Sequence, residues 1–307
     1  MESLSVIICT YNPNESVFQK CLECIEAAAR QFLPTEVIIV DNNSTTPMRS
    51  SKIVAEFSNR QSNVRLVEEK TAGLTPARLR GIQEAHGELL VFIDDDNFIA
   101  SDFFAKGMEV SKHNTHIGSW SGQVKLVFES QPPDWTRKYW GLLVHREFTG
   151  NRWSNFPHLP DTMPCGAGLF VRREVAAFYL ELNRNGKRKI KLDREGSSLF
   201  SGGDNDLAAC ACDIGLGVGL FENLKLDHFI PGSRTEKAYL LRLAKGIAAS
   251  DIVFKSFRNE YNESPGMKTK LANQLRILFK KKLDRQFYKA VLEGRELGRQ
   301  LLEKNYD

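Results

Sequence analysis

Three consecutive aspartates, Asp94-Asp95-Asp96, follow the apolar run Leu89-Leu90-Val91-Phe92-Ile93. Carboxylates crowded at the mouth of a buried strand repel one another and lose hydration, a conflict that a divalent cation resolves. An oxygen-only set suits Mg²⁺ or Mn²⁺, ions that keep positions open for phosphate oxygens. The competing reading is a solvated acidic turn capping the next helix. Asp41 stands beside Asn42, Asn43 and Ser44 after a second apolar run. There it can accept from a base N–H or a ribose hydroxyl, or simply shape a turn. A further acidic cluster, Asp204-Asn205-Asp206, follows Ser201-Gly202-Gly203 and opens a helical pattern, where both aspartates also complement the helix dipole. Arg234, six residues after His228, can pair bidentately with a diphosphate or stand as an exposed loop arginine.

Hydropathy shows which elements must position these residues. Leu4-Ser5-Val6-Ile7-Ile8-Cys9 and Glu36-Val37-Ile38-Ile39-Val40 read as buried strands separated by a helix from Val17 to Gln31. A helix from Lys52 to Asn59, a strand from Val64 to Val67, a helix from Thr75 to Ala85 and a strand from Leu89 to Ile93 follow. Thr75 is expected as N-cap, with Pro76 at the first helical position. This alternation implies a parallel, helix-covered sheet, because parallel neighbours need crossover connections. Ligands of such sheets collect at the carboxyl ends of the strands. The residues there are Thr10-Tyr11-Asn12-Pro13, Asp41-Asn42-Asn43-Ser44, Glu68-Glu69-Lys70 and Asp94-Asp95-Asp96-Asn97, a polar and acidic edge.

From Gln131 to Pro164 the texture changes to Trp135, Trp140, Trp153 and five prolines, which predicts an irregular loop or lid. Aromatic faces there can line a ligand pocket, and core packing explains them as well. Regular structure resumes with the strand Gly168-Leu169-Phe170-Val171, a helix from Arg173 to Leu182 and a basic loop from Asn183 to Arg194. A strand-like run from Leu224 to Ile230 then precedes helices from Thr235 onward, broken near Ser264-Pro265-Gly266. In the last of these, Leu271, Leu275, Leu278 and Phe279 recur at helical spacing beside Lys280-Lys281-Lys282. That pattern lies on an anionic membrane surface or packs on the body with its lysines in water.

Composition excludes several classes. At 307 residues, 42% apolar and 26% charged, the chain is not a disordered tail protein. No run approaches the ~18 apolar residues of a spanning helix, and the start carries no basic flank or cleavage site. A cytoplasmic location is expected, peripheral at the inner face of the membrane if the basic tail binds lipid. Six cysteines without a second C-x-x-C read as buried thiols, the pair Cys21 and Cys24 included. The net charge of +4 divides into +6 from Lys268 to Asp307 (eleven basic against five acidic residues) and −2 in the remainder (31 against 33). A near-neutral body carries no electrostatic footprint for nucleic acid.

Taken together, Thr10-Tyr11-Asn12, Asp41-Asn42-Asn43-Ser44, Gly73-Leu74-Thr75-Pro76-Ala77-Arg78 and Asp94-Asp95-Asp96 resemble the family 2 glycosyltransferases of the GT-A fold, over about residues 1 to 235. The resemblance implies an α/β fold of GT-A type, a mostly parallel sheet with helices on both faces. Residues 1–100 would form its nucleotide-binding half, 101–235 its acceptor half and 236–307 a C-terminal helical extension. It further implies that Thr10, Tyr11 and Asp41 line the base pocket, that Arg78 approaches the nucleotide or its phosphates, and that Asp94 and Asp95 lie on the nucleotide side. Asp96 would bind Mn²⁺ or Mg²⁺ bridging the donor diphosphate, with His228 as an additional ligand, though a lone histidine is commonly just packed. Asp204 takes the place of the catalytic base, with Asp206 as a possible participant, and the stretch Pro164-Cys165-Gly166-Ala167-Gly168 lines the sugar site. Trp135 and Trp140 would contact the acceptor. The implied activity is metal-dependent, inverting transfer from a nucleotide-sugar donor, UDP favoured as common in the family, to a glycan, lipid-linked or other acceptor hydroxyl.

Gly203 replaces the glutamate that usually precedes the catalytic aspartate, which raises a second reading, a transferase-like binding module that has lost turnover. A third is a D-x-D phosphatase or phosphotransferase, but there the motif follows the first strand and carries Thr or Val where Phe98 stands. His86, His113, His116, His145 and His158 lack partners at ligand spacing and receive no role.

Overall fold

Seven consecutive buried residues form strand β1 (Leu4–Thr10), since a strand covered by helices on both faces must be apolar on both. In the computed structural model, which describes residues 2–61, 63–157, 159–190, 192, 194–195, 198–260 and 265–306, β1 leads into α1 (Glu15–Ala29), β2 (Glu36–Asp41), α2 (Lys52–Arg60), β3 (Val64–Glu68), α3 (Leu74–Glu84) and β4 (Leu89–Asp94). Next come β5 (Asn97–Ile99), α4 (Phe103–His113), β6 (Ile117–Phe128), a 3₁₀ segment Asp134–Leu143, β7 (Arg152–Ser154), β8 (Leu169–Arg172) and α5 (Arg173–Arg184). A small hairpin of β9 (Arg194–Glu195) and β10 (Ser198–Leu199) precedes α6 (Gly203–Asp213), β11 (Gly217–Ile230), α7 (Lys237–Ser256), α8 (Met267–Phe279) and α9 (Lys282–Tyr306).

The main sheet runs β3-β2-β1-β4-β8-β6-β11-β5, with β7 on β11. Its first four strands are mutually parallel. β8 inserts antiparallel between β4 and β6, β11 lies parallel to β6, and β5 and β7 pair antiparallel with β11. Six of the nine strands in this sheet therefore share one direction. Alternation along β1 sends Leu4, Val6 and Ile8 to a core shared with α1, α2 and α4. Ile7 and Cys9 go to the opposite core, shared with α3, α5, α6 and α7. At the centre of the first core Trp120 stacks on Phe170, with centroids 5.5 Å apart and planes 5° apart.

Helix starts shift from the sequence expectation for local reasons. Asn14 caps α1 by accepting from the Val17 amide, two residues before the apolar pattern begins. α3 starts at Leu74, with Gly73 rather than Thr75 as its N-cap, at φ 122°. The Gly73 amide donates to Asn42 Oδ1 at 2.9 Å, and Pro76 falls within the first turn, where its missing N–H leaves no intrahelical bond unmade. β6 escapes a hydropathy reading because Gly118, Ser119, Ser121 and Gly122 interrupt it. A Cβ at Gly122 would sit 2.1 Å from the Leu224 carbonyl oxygen and one at Gly118 2.7 Å from Ala211 Cβ, so small residues are what lets β11 and α6 approach. The C-terminal helices differ among themselves. α7 sends Leu240 and Leu243 into a core with Leu126 and Ile230, and α9 lies against it so closely that a Cβ at Gly294 would meet the Lys245 carbonyl at 2.1 Å. α8 buries no residue; its apolar stripe is not packed on the body. In the expected break before it, Ser264 lies outside the described residues.

Two charged clusters tie elements together. Glu36, 7% exposed, accepts from Ser5 Oγ at 2.7 Å, from Arg65 at 2.7 Å and from the His86 amide, joining β1, β2, β3 and the turn before β4. Burial pushes the Glu36 carboxyl up, but these donors outweigh it and hold it at about 2. Asp206, 2% exposed, is gripped by Arg188 Nε at 2.7 Å and Arg258 Nη1 at 2.9 Å. Arg258 continues to Asp213 at 2.8 Å, and the two guanidinium groups lie over the rings of Phe257 and Phe254.

A folded-state value below the unfolded one adds stability at neutral pH that fades as pH falls from about 4.5 toward 2. Urea titrations of Glu36→Gln are expected to show a loss of about 2–3 kcal/mol at pH 7 that closes over that window. Asp206→Ala leaves Asp213 as the remaining anion beside two buried arginines and is expected to cost about 3 kcal/mol in the same measurement.

Candidate active site

The carboxyl ends of β1, β2 and β4 meet the Gly166 loop, the start of α6 and the end of β11 around a cavity of about 470 Å³. The loops after β1 and β2 brace each other: the Thr45 amide donates to Asn12 Oδ1 at 2.8 Å and the Asn12 amide to Ser44 Oγ at 3.0 Å. Asn12 and Asn43 both take left-handed backbone, φ 46° and 61°, which asparagine tolerates better than most residues. Thr10 and Tyr11 line the cavity, Tyr11 with its ring 61% exposed at the mouth.

The aspartate triplet fans out from the end of β4 with each carboxylate differently partnered. Asp94 lies 3.9 Å from the guanidinium of Arg78, a residue only 3% exposed. Burial raises the Asp94 carboxyl although Arg78 pulls it down. Asp95 accepts from Thr10 Oγ1 at 2.5 Å; burial first, and the charge of Asp96 next, push it to about 7. Asp96 is the most anionic of the three: burial opposes its charge, but His228 and Arg234 overcome this and hold it below the usual range. Its Oδ2 stands 3.5 Å from His228 Nε2 and 3.2 Å from Arg234 Nη1.

Across the cavity, Asp204 Oδ2 accepts the Gly166 amide at 2.6 Å, which fixes the carboxylate at the first turn of α6. A Cβ on Gly166 would lie 2.6 Å from Arg78 Nη2 and 2.9 Å from Asp204 Oδ2. Only glycine permits the backbone between that cation and that carboxylate. Asn205 steadies the same loop by donating to the Pro164 carbonyl at 3.2 Å.

Asp96 and His228 fit a divalent cation. Their donor atoms are spaced on the order of adjacent ligands of one ion, whose bonds are about 2 Å each. His228 Nδ1 is buried and unpartnered. Among the described residues no three His, Cys, Asp or Glu side chains converge on a metal position.

Several sequence-derived candidates lie elsewhere. Asp41, 2% exposed, is absent from the cavity wall because its carboxylate is taken by the amides of Ser44 at 3.0 Å and Met48 at 2.8 Å; Asn42 and Asn43 form that wall instead. Asp206 points into its arginine clamp and does not line the cavity. Trp135 and Trp140 pack on the core formed with α7 and α9, Trp140 with its Nε1 on Thr136 Oγ1 at 3.1 Å. Trp153 sits on β7 against His116. Neither His86, on Glu36, nor His113 or His145 lines the cavity, and His158 lies outside the described residues. Cys21 is fully buried, with Sγ 3.5 Å from the Asp94 carbonyl. Sequence reading missed Val144, a cavity-wall residue at φ 71°. A β-branched residue there is strained, and no local residue pattern announces it.

The family model described as Glycosyl transferase family 2 matches residues 5–176. An uncharacterized glycosyltransferase, EpsJ, of Bacillus subtilis is 32% identical over 112 residues, 36% of this chain and 31% of that one. An uncharacterized glycosyltransferase of Haemophilus influenzae is 26% identical over 216 residues, 64% of this chain and 78% of that one. The chain thus spans about a third of the Bacillus relative. Among solved structures, mannosyltransferase PcManGT of Pyrobaculum calidifontis, in complex with GDP-Man and Mn²⁺, superposes with a TM-score of 0.57 at 19% identity, covering 99% of this chain and 74% of that one. S. aureus TarS 1–349 gives 0.51 at 15% identity, covering 98% and 92%. The architecture is the expected GT-A type, and the chain belongs to glycosyl transferase family 2.

Proposed function

We propose that the chain is a metal-dependent, inverting glycosyltransferase that moves a sugar from a nucleotide-diphosphate donor, UDP favoured, to a hydroxyl of a glycan or lipid-linked acceptor. The observation that carries this is one cavity lined by Asp96, by His228 and by Asp204 anchored on the Gly166 amide. Relatives named glycosyltransferases and a structural neighbour bound to GDP-Man and Mn²⁺ support it. In this reading residues 1–235 form the transferase domain and 236–307 a helical extension.

Tyr11, Asn42 and Asn43 receive the base, and Thr10 with Asp94 and Asp95 the ribose side. Arg78 and Arg234 meet the diphosphate. Asp96 and His228 would hold Mn²⁺ or Mg²⁺, which supplies Lewis-acid neutralisation of the leaving diphosphate when bound. Asp204 takes the proton of the attacking hydroxyl; its contact with the Gly166 amide keeps one oxygen aimed and leaves the other free to accept. A single displacement needs no covalent nucleophile. The Asp triplet follows β4 of a family 2 domain, which removes the phosphatase reading.

A thermal-shift panel of UDP, GDP, CDP and dTDP, each with Mn²⁺ or chelator, is expected to show one nucleotide raising Tm by about 5–10 °C only with metal. No response to any of them removes the metal-nucleotide site. Asp204→Asn is expected to keep that response and lose about 10²–10⁴-fold in transfer rate; unchanged turnover assigns the base elsewhere, and absence of turnover in the parent chain favours the binding module. Gly166→Ala is expected to weaken both nucleotide response and transfer, by displacing Arg78 and Asp204 together.

A further inference from the structure

Helix α8 turns most of its apolar residues to solvent and buries none of its side chains. Its exposed stripe comprises Met267, Leu271, Leu275, Leu278 and Phe279, at 85%, 63%, 50%, 66% and 88% exposure. The face toward the body is mixed: Tyr288 of α9 donates to Asn273 at 2.7 Å, and the groove of about 630 Å³ among α7, α8 and α9 is lined by Asp251, Gln274 and Arg295 together with Ile252, Ile277 and Leu292. Ordinary amphipathic helices turn apolar residues inward. The helix and the turn after it carry Lys268, Lys270, Arg276, Lys280, Lys281 and Lys282, with no acidic residue from Met267 to Leu283.

We infer that α8 docks the protein on an anionic lipid bilayer, its apolar stripe in the acyl boundary and its cations on the headgroups. Charge decides against the other occupants. A second copy would set six cations against six, and a protein partner would have to be both apolar and acidic at one stripe. Position agrees: Asp284 at the start of α9 binds Lys138 and Tyr139, and Phe287 stacks on Tyr139 at 3.6 Å. The Lys280-Lys281-Lys282 turn is thereby held beside the 3₁₀ segment and the carboxyl end of β11, on the sheet edge that carries the cavity. No helix among the described residues is long and apolar enough to cross a membrane, so the contact is peripheral.

Flotation of the full chain with phosphatidylcholine vesicles, with and without phosphatidylglycerol, tests this with no donor or metal present, so its outcome is independent of the proposed transfer. The chain is expected to float with the anionic vesicles and to be released by high salt. Lys280→Gln, Lys281→Gln and Lys282→Gln combined are expected to weaken that binding by on the order of a hundredfold. Leu275→Glu with Leu278→Glu is expected to abolish it while leaving circular dichroism and Tm unchanged, because both side chains already face water. Failure of the parent chain to float with any vesicle overturns the inference. So does equal binding to neutral vesicles, or a dimer in sedimentation velocity that Leu278→Glu dissociates.

Discussion

Everything around the cavity answers to the crowding of three carboxylates at the end of β4. Each needs a different neighbour to exist there: a hydroxyl for Asp95, a buried guanidinium for Asp94, an imidazole and a second guanidinium for Asp96. Those partners come from β1, α3, β11 and the turn after it, so satisfying the triplet fixes four separate parts of the chain against one another. The site's charge balance and its architecture are the same constraint seen at two scales. Asp96 has the Arg234 guanidinium at 3.2 Å and the His228 imidazole at 3.5 Å, and these neighbours keep it the anion of the three.

Close approach is the second organising principle. Gly166 admits Arg78 and Asp204 to one side of a loop, Gly122 admits β11 to β6, and Gly294 admits α9 to α7. In each case a missing side chain sets a distance that a larger residue would enlarge. The consequence for chemistry is sharpest at Gly166, where one backbone amide both orients the carboxylate and leaves room for the guanidinium.

Residues 1–100 were largely legible because their strands are continuous apolar runs ending in polar residues, a pattern that hydropathy detects directly. Beyond them β8, α5 and the end of β11 were legible too, but β6 and the start of β11 were not, since they are written in Gly and Ser, whose role is spatial and invisible to a hydropathy count. Among site residues, Asp94, Asp96, Asp204, His228 and Arg234 do share one cavity. Asp41, Asp206, Trp135 and Trp140 do not, because residue type reveals that a group can do chemistry but not which partner has already claimed it: two backbone amides, two arginines or a hydrophobic core. Val144 carries no signal at all in its type, only in its backbone.

Strand order has a consequence for how the molecule comes into being. β1 to β4 pair with neighbours made close to them in time, so the parallel part of the sheet that they form can assemble while later residues are still unmade. β4 then waits some seventy-five residues for β8, and β6 waits for both β8 and β11. During synthesis an open, fully apolar strand edge therefore persists at the very strand that carries the aspartate triplet. The charges at its tip, useless for pairing with another chain, are the part of that edge least able to recruit a wrong partner.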